Sequence, residues 1–147
     1  MAENPMWNRP GAVPPAGAPA TSQQPVPPPP DTAPAAVMVG KRTVAEVAAI
    51  VDNMEYAVRA KGYELEEWHQ GILAAYTWVL GVAATAPLTG RTSHGIPDAA
   101  QLRAEDDAAE EALRSGPRRK YANGVQHAVM WVRGLTDDQP WLMWQKD

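Results

Sequence analysis

The chain has 147 residues, and 11 of its 15 prolines lie within the first 36, which leaves 111 residues to build a folded core. That length supports one small domain. The absence of cysteine excludes a disulfide scaffold, a thiolate zinc site, an iron–sulfur cluster and cysteine nucleophile chemistry. The formal net charge of −4 argues against a general polyanion-binding protein, which usually carries excess positive charge.

The expected location and origin of the chain follow from its composition. The first 30 residues contain no basic start followed by an apolar run, so they predict no cleavable secretory signal. A chain without cysteine fits a reducing compartment, and we expect a cytoplasmic protein. Nine arginines against four lysines, with abundant alanine and no phenylalanine, indicate a GC-rich genome of bacterial or phage origin.

Residues 1–40 are predicted to form an arm rich in proline and alanine. The arm has too few aliphatic side chains to offset the entropy of ordering, so we expect it to be disordered. Its run from Pro25 to Pro30 favours polyproline II and contains proline-x-x-proline spacing. Trp7 is a lone aromatic residue that could anchor a partner, although an incidental tryptophan is the simpler interpretation.

Two helices are predicted next. Thr43 and Glu46 form a capping box at the start of the first helix, and Gly62 ends it. Apolar residues recur along this helix at helical spacing: Val44, Val47, Val51, Met54 and Val58. A second helix is predicted from Glu64 to Ala84.

The second helix raises the question of a membrane. Residues 71–88 form an uncharged stretch of 18 residues, which reaches the lower limit for a span. However, Tyr76 and Trp78 lie inside the stretch, Pro87 breaks it, and no basic cluster would fix an orientation. We therefore expect a buried helix and no membrane partner.

A loop over residues 86–97 is predicted from its prolines and glycines, and Asp98 with Gln101 then caps a third helix. Alanines at every fourth position from Ala100 to Ala112 predict a ridge that permits close packing by a neighbouring helix. Carboxylates on the opposite side predict a solvent-exposed face, with docking to a basic partner as the alternative: Glu105, Asp106, Asp107, Glu110 and Glu111.

A fourth helix is predicted from Pro117 to Arg133, with Gly134 as its terminator. No segment alternates well enough to predict a sheet. The expected fold is all-α, a small four-helix bundle or an orthogonal helical domain over residues 41–135, followed by an aromatic tail over residues 136–147.

A basic cluster at the start of the fourth helix suggests one function, in which two helices form a helix-turn-helix that binds DNA. Its members are Arg114, Arg118, Arg119 and Lys120. The acidic third helix and the negative net charge oppose this interpretation.

The histidines suggest no metal site, because His69, His94 and His127 show no ligand spacing. We expect no metal and no other cofactor. His127 is the best candidate for a general base, yet no nucleophile accompanies it. An enzyme centred on His127 is therefore only the third hypothesis.

The C-terminal run Trp141-Leu142-Met143-Trp144 must either fold back over the helices, which Pro140 favours, or be covered by another molecule. Trp78 and Trp131 lie off the main apolar stripes of their helices and raise the same choice. Together with Trp7, these six residues are the predicted partner contacts. The function predicted is a non-enzymatic protein–protein interaction module, an assembly or regulatory factor that binds a protein partner or a second copy of itself, with DNA regulation as the alternative.

Overall fold

The computed structural model describes residues 36–146, most of which lie in four helices. The prediction of a mostly helical fold is confirmed. Trp7 and the run from Pro25 to Pro30 lie outside the described residues. The elements in chain order are β1 (Met38–Val39), β2 (Arg42–Thr43), α1 (Val44–Lys61), α2 (Glu67–Val79), α3 (Ala99–Ser115) and α4 (Arg119–Val132).

A short antiparallel hairpin of β1 and β2 precedes the helices. This hairpin was not predicted, because strands of two residues are too short to show an alternating pattern in the sequence. The turn packs against the end of α4, where the Lys41 backbone N–H donates to the Val132 carbonyl over 2.8 Å. Val39 is buried in the core, so the folded unit begins before the predicted boundary at residue 40.

Helix α1 begins and ends where the sequence predicts. The Thr43 hydroxyl accepts a hydrogen bond from the Glu46 backbone N–H, and the Glu46 carboxylate accepts one from the Thr43 backbone N–H. The bond from the Thr43 backbone N–H, and a second bond from the Thr43 hydroxyl to the same carboxylate, lower the pKa of Glu46. Gly62 ends the helix in the left-handed region, with φ of 68°.

Helix α2 is shorter at both ends than predicted. It begins at Glu67, because the Glu66 backbone N–H donates to His69 Nδ1 over 3.3 Å and this contact caps the first turn. It ends at Val79, and Gly81 then turns the chain with φ of 79°. Within the described part of the chain, every helix is too short or too polar to cross a bilayer.

Helix α3 buries two of the five carboxylates that were predicted to meet solvent, Glu105 and Asp106. Glu105 is fully buried and accepts hydrogen bonds from the backbone N–H groups of Leu88 and Thr89, so its carboxylate closes the loop before α3. Asp106 is buried against Arg133, the residue directly after α4, with 2.5 Å between carboxylate and guanidinium. The other three predicted carboxylates are exposed: Asp107, Glu110 and Glu111.

The N-terminus of α3 provides a direct test of local helix capping. The Asp98 carboxylate accepts a hydrogen bond from the Gln101 backbone N–H over 2.9 Å, and the Gln101 side chain accepts one from the Asp98 backbone N–H over 2.8 Å. Asp98→Ala should lower the free energy of unfolding by about 1 kcal/mol, measured by urea denaturation. Asp107→Ala, an exposed carboxylate within the same helix, should change it far less. Equal effects would contradict the capping role.

Helices α2 and α4 come into backbone contact at two glycines, whereas the alanines of the predicted ridge on α3 are half-buried or exposed. A Cβ atom added at Gly124 would lie 2.0 Å from the Trp68 carbonyl oxygen, and one added at Gly71 would lie 2.1 Å from the Tyr121 carbonyl oxygen. Both glycines are buried. The two backbones therefore touch at a reciprocal pair of glycines, which holds α4 against α2 and fixes the surface that carries the aromatic residues.

Candidate functional site

The segment after α4 folds back onto the helices. Trp141 is 4% exposed and belongs to the hydrophobic core. Its indole Nε1 donates a hydrogen bond to the Asn53 side-chain oxygen over 3.0 Å. Residues 141–144 of the predicted aromatic tail consequently pack against the helices.

Asn53 is the residue that fastens this segment to α1. Besides bonding the Trp141 indole, its Oδ1 accepts from the Trp144 backbone N–H over 2.7 Å, and its Nδ2 donates to the Trp144 carbonyl over 2.9 Å. This role was not predicted from the sequence. Its position in the sequence could have indicated the role. Asn53 lies three residues after Ile50 and four before Ala57, on a helix stripe that is otherwise apolar, and a buried polar side chain needs a hydrogen-bond partner.

A second amide, from Gln139, fixes the start of the segment. Its Oε1 accepts hydrogen bonds from the Trp141 backbone N–H over 2.7 Å and from the Tyr76 hydroxyl over 3.1 Å. Its Nε2 donates to the Trp141 carbonyl over 2.6 Å. Burial raises the pKa of Tyr76 far above its ordinary value, which keeps this hydroxyl a donor. The backbone between Gln139 and Trp144 is thus held at both ends.

Five rings meet where this segment lies against α1 and α2. Edge-to-face contacts join Tyr63 to Trp144 at 5.5 Å between ring centroids, and join His69 to Trp141 at 5.4 Å. Trp68 contacts His69 at 5.1 Å. These separations and angles are those that aromatic pairs prefer, so each ring restricts the orientation of its neighbours. Neither Tyr63 nor Trp68 was predicted to belong to a site, because they lie in a loop and a helix that are far from the C-terminal segment in sequence.

These rings border a groove with a volume of about 330 Å³. We call it the aromatic groove. Its lining residues are Tyr63, Trp68, His69, Pro140, Trp141, Leu142 and Trp144. Leu142 is 86% exposed and the adjacent Met143 is 48% exposed, although the backbone on both sides of them is fixed. The groove therefore combines large apolar surfaces with a well-defined shape.

Three of the predicted partner contacts are core residues. Trp78 is 1% exposed, and its indole donates to the Ser93 hydroxyl of the loop before α3 over 3.1 Å. Trp131 is buried beneath Arg42, whose guanidinium lies 4.4 Å from the ring centroid. With Trp141, they are covered by this chain itself, so the inference that they need a partner is wrong. Trp78 and Trp131 lie off the main apolar stripes of their helices, but the loop before α3 covers Trp78 and the hairpin covers Trp131.

Of the other predicted contacts, Leu142 and Trp144 line the groove, where Trp144 is half-buried, and Met143 is exposed between them in the sequence. Trp7 lies outside the described residues.

The basic cluster surrounds the start of α4, as the sequence suggested, but acidic groups lie within it. Arg114 pairs with Glu111 over 3.0 Å. Glu67 lines the same shallow depression as Arg119 and Lys120. The Arg118 guanidinium lies 3.8 Å from the centroid of the Tyr121 ring. Fewer cations are consequently free for phosphate oxygens than the sequence suggested.

His127, the candidate general base, is exposed on α4 with its ring 6.1 Å from that of Trp68. No carboxylate or hydroxyl in residues 36–146 is hydrogen-bonded to it, whereas a base that activates a nucleophile needs such a partner within reach. Among the same residues, no group of three potential ligands could hold a metal ion.

A larger groove, of about 550 Å³, lies beside the hairpin turn and the first turn of α3. Lys41, Arg103 and Arg133 line it, but Arg133 is already paired with Asp106. The apolar part of its lining consists of alanines and one leucine, without the ring faces that dominate binding surfaces. The aromatic groove is for this reason the better candidate for a binding site.

Comparison of the chain with protein-family models, with curated proteins and with solved structures finds no match.

Proposed function

We propose that this chain is a non-enzymatic helical interaction module that binds a protein partner through the aromatic groove, as an assembly or regulatory factor in the cytoplasm. The observation that carries the proposal is the exposure of Leu142 and Met143 beside the groove on a backbone that Asn53 and Gln139 hold in place. Apolar side chains presented in a fixed geometry bind at a lower entropic cost than side chains that must first be ordered.

The chemistry of the groove fits protein recognition better than catalysis. Tryptophan, tyrosine and methionine are the side chains enriched where proteins contact one another. The groove holds one titratable imidazole, His69, and the Nδ1 of that ring is already engaged by the backbone of Glu66. We propose a four-helix module in which the helices form a rigid support and the C-terminal segment presents the contact surface.

The test compares two exposed leucines, one at the groove and one outside it. Leu142→Asp places a charge at the groove, whereas Leu135→Asp makes the same change at a residue that is 57% exposed and does not line the groove. Both variants should keep the helix content of the natural chain. In cells that express the full chain, cross-linking to a specific protein should fall about tenfold with Leu142→Asp only. Equal cross-linking by the two variants would contradict the proposal.

A further inference from the structure

The larger groove beside the hairpin differs from the aromatic groove in its charge. We call it the cationic groove. It has a volume of about 550 Å³ and shares no lining residue with the aromatic groove. Lys41, Arg103 and Arg133 line it, and within residues 36–146 no aspartate or glutamate does. A cleft lined by charges of one sign concentrates the electric field and attracts ions of the opposite sign.

The three cations come from separate parts of the chain, so it is the fold that brings them to one groove. Lys41 lies in the hairpin turn, Arg103 lies on α3, and Arg133 directly follows α4. Like charges that lie close together repel one another, and an anion among them removes this cost. The chain carries a net charge of −4, so a groove with only cations on its walls does not follow from composition.

Most of the donors on these cations are available to a ligand. Within residues 36–146, neither the Lys41 ammonium nor the Arg103 guanidinium forms a hydrogen bond or an ion pair. The Arg133 guanidinium bonds Asp106 through Nη1, whereas its Nε and Nη2 groups donate to no atom of the described residues. The groove therefore presents two unneutralised charges and further N–H donors from a third cation.

Two of the cations are fixed in position by the fold. The Lys41 backbone N–H donates to the Val132 carbonyl over 2.8 Å. A Cβ atom added at Gly134 would lie 2.7 Å from Lys41 Cγ, so the stem of this lysine lies against the glycine. The ion pair with Asp106 orients Arg133. Donors that are held in place before binding lose less entropy when a ligand arrives.

The rest of the lining favours a small phosphate ester. Ala99 and Ala100 are the first two residues of α3, and the backbone N–H groups of a first helical turn attract anions. The side chains of these two alanines are exposed and give the groove an apolar wall. Guanidinium groups match the oxygens of a phosphate through paired N–H bonds. The volume of the groove lies within the range of small-molecule sites.

We infer that the cationic groove binds a small organic phosphate, whose phosphate oxygens accept hydrogen bonds from Lys41 and Arg103 and whose carbon part lies against Ala99 and Ala100. This site goes beyond the proposed protein contact and does not depend on the aromatic groove. The two charges of a phosphate monoester match the two unneutralised cations, whereas a monocarboxylate neutralises only one of them.

The test follows the binding of phenyl phosphate to the full chain through the NMR chemical shifts of its backbone amides. At a pH of about 7.5, phenyl phosphate is close to a dianion, because the second pKa of a phosphate ester is about 6. The amide signals of Lys41, Ala100 and Arg103 should shift, while those of the aromatic groove should not. Benzoate has the same ring and one charge, and it should bind about tenfold more weakly.

Arg103→Gln and Arg119→Gln form a matched pair, since both arginines are exposed and each change lowers the net charge by one. Arg103→Gln should weaken binding about tenfold, because it removes a charged donor from the groove. Lys41→Gln should weaken binding to a similar extent. Arg119→Gln should bind as the natural chain does, because Arg119 lies in a different depression that Glu67 also lines. Circular dichroism should show the same helix content in all three variants.

A natural chain without localised shifts at millimolar phenyl phosphate would overturn the inference. Equal weakening by Arg103→Gln and Arg119→Gln would also overturn it, because it would indicate attraction by net charge alone. Benzoate that binds as tightly as phenyl phosphate would exclude a phosphate site. A short DNA duplex that displaces phenyl phosphate at a lower concentration than inorganic phosphate does would show a nucleic-acid ligand instead. None of these results affects the cross-linking test at Leu142, so the proposed function stands or falls separately.

Discussion

Gly124→Ala should lower the free energy of unfolding by about 3 kcal/mol, although the same change in an ordinary helix raises stability by about 1 kcal/mol. The added methyl group would lie 2.0 Å from the carbonyl oxygen of Trp68. That oxygen belongs to the backbone of α2, so it cannot move aside as a flexible side chain could. The two helices must separate, and the packing around their contact is lost. Urea denaturation followed by circular dichroism measures the effect.

Two further variants sharpen this test. Lys120→Ala, one turn earlier on α4 and exposed, should leave the free energy of unfolding nearly unchanged. Gly71→Ala places its methyl group against the carbonyl oxygen of Tyr121 and should be as damaging as Gly124→Ala. The double variant should cost less than the sum of the two, because separating the helices relieves both clashes at once. A stabilised Gly124→Ala variant would show that α2 and α4 do not touch at this position.

Local sequence signals predicted the helix ends that depend on local contacts. Thr43, Asp98 and Gly62 act within one helical turn, and each occupies the predicted position in the structure. The ends of α2 were predicted poorly because they depend on less common devices. A histidine caps its first turn, and a glycine two residues after Val79 redirects the chain where the apolar pattern continues.

The pattern of residues within a single helix did not predict which of its side chains are buried. In the sequence, Glu105 and Asp106 look like surface residues. Each can be buried because it has a partner in the fold: backbone N–H groups of the loop bind Glu105, and Arg133 pairs with Asp106. Trp78 and Trp131 lie off the main stripes, yet the loop before α3 and the hairpin cover them. The partners of these side chains lie 15 or more residues away, and their positions depend on the tertiary fold. The aromatic groove has the same origin, since its rings come from three separate parts of the chain.

Replacing Asn53 should release the C-terminal segment and lower the free energy of unfolding by about 3 kcal/mol. Asn53→Leu retains a side chain of similar size but removes all three hydrogen bonds to Trp141 and Trp144. The Trp141 indole N–H is then left in the core without an acceptor, and a buried unpaired donor costs more than the bond itself contributed. Because these bonds fix the wall of the groove, the exposed leucine and methionine of the segment should lose their fixed geometry together with the stability.

The measurements are urea denaturation and limited chymotrypsin digestion, since the segment contains four bonds that follow tryptophan, leucine or methionine, from Trp141 to Trp144. In the natural chain, these bonds should resist cleavage under native conditions, because the backbone is bonded at Trp141 and Trp144. Asn53→Leu should make them the first sites cut in this region, while Asp52→Ala, the exposed neighbour, should leave both readouts unchanged. A segment that stays protected in Asn53→Leu would mean that ring contacts alone hold it, and the shape of the groove would then depend on Tyr63 and His69 rather than on the amide.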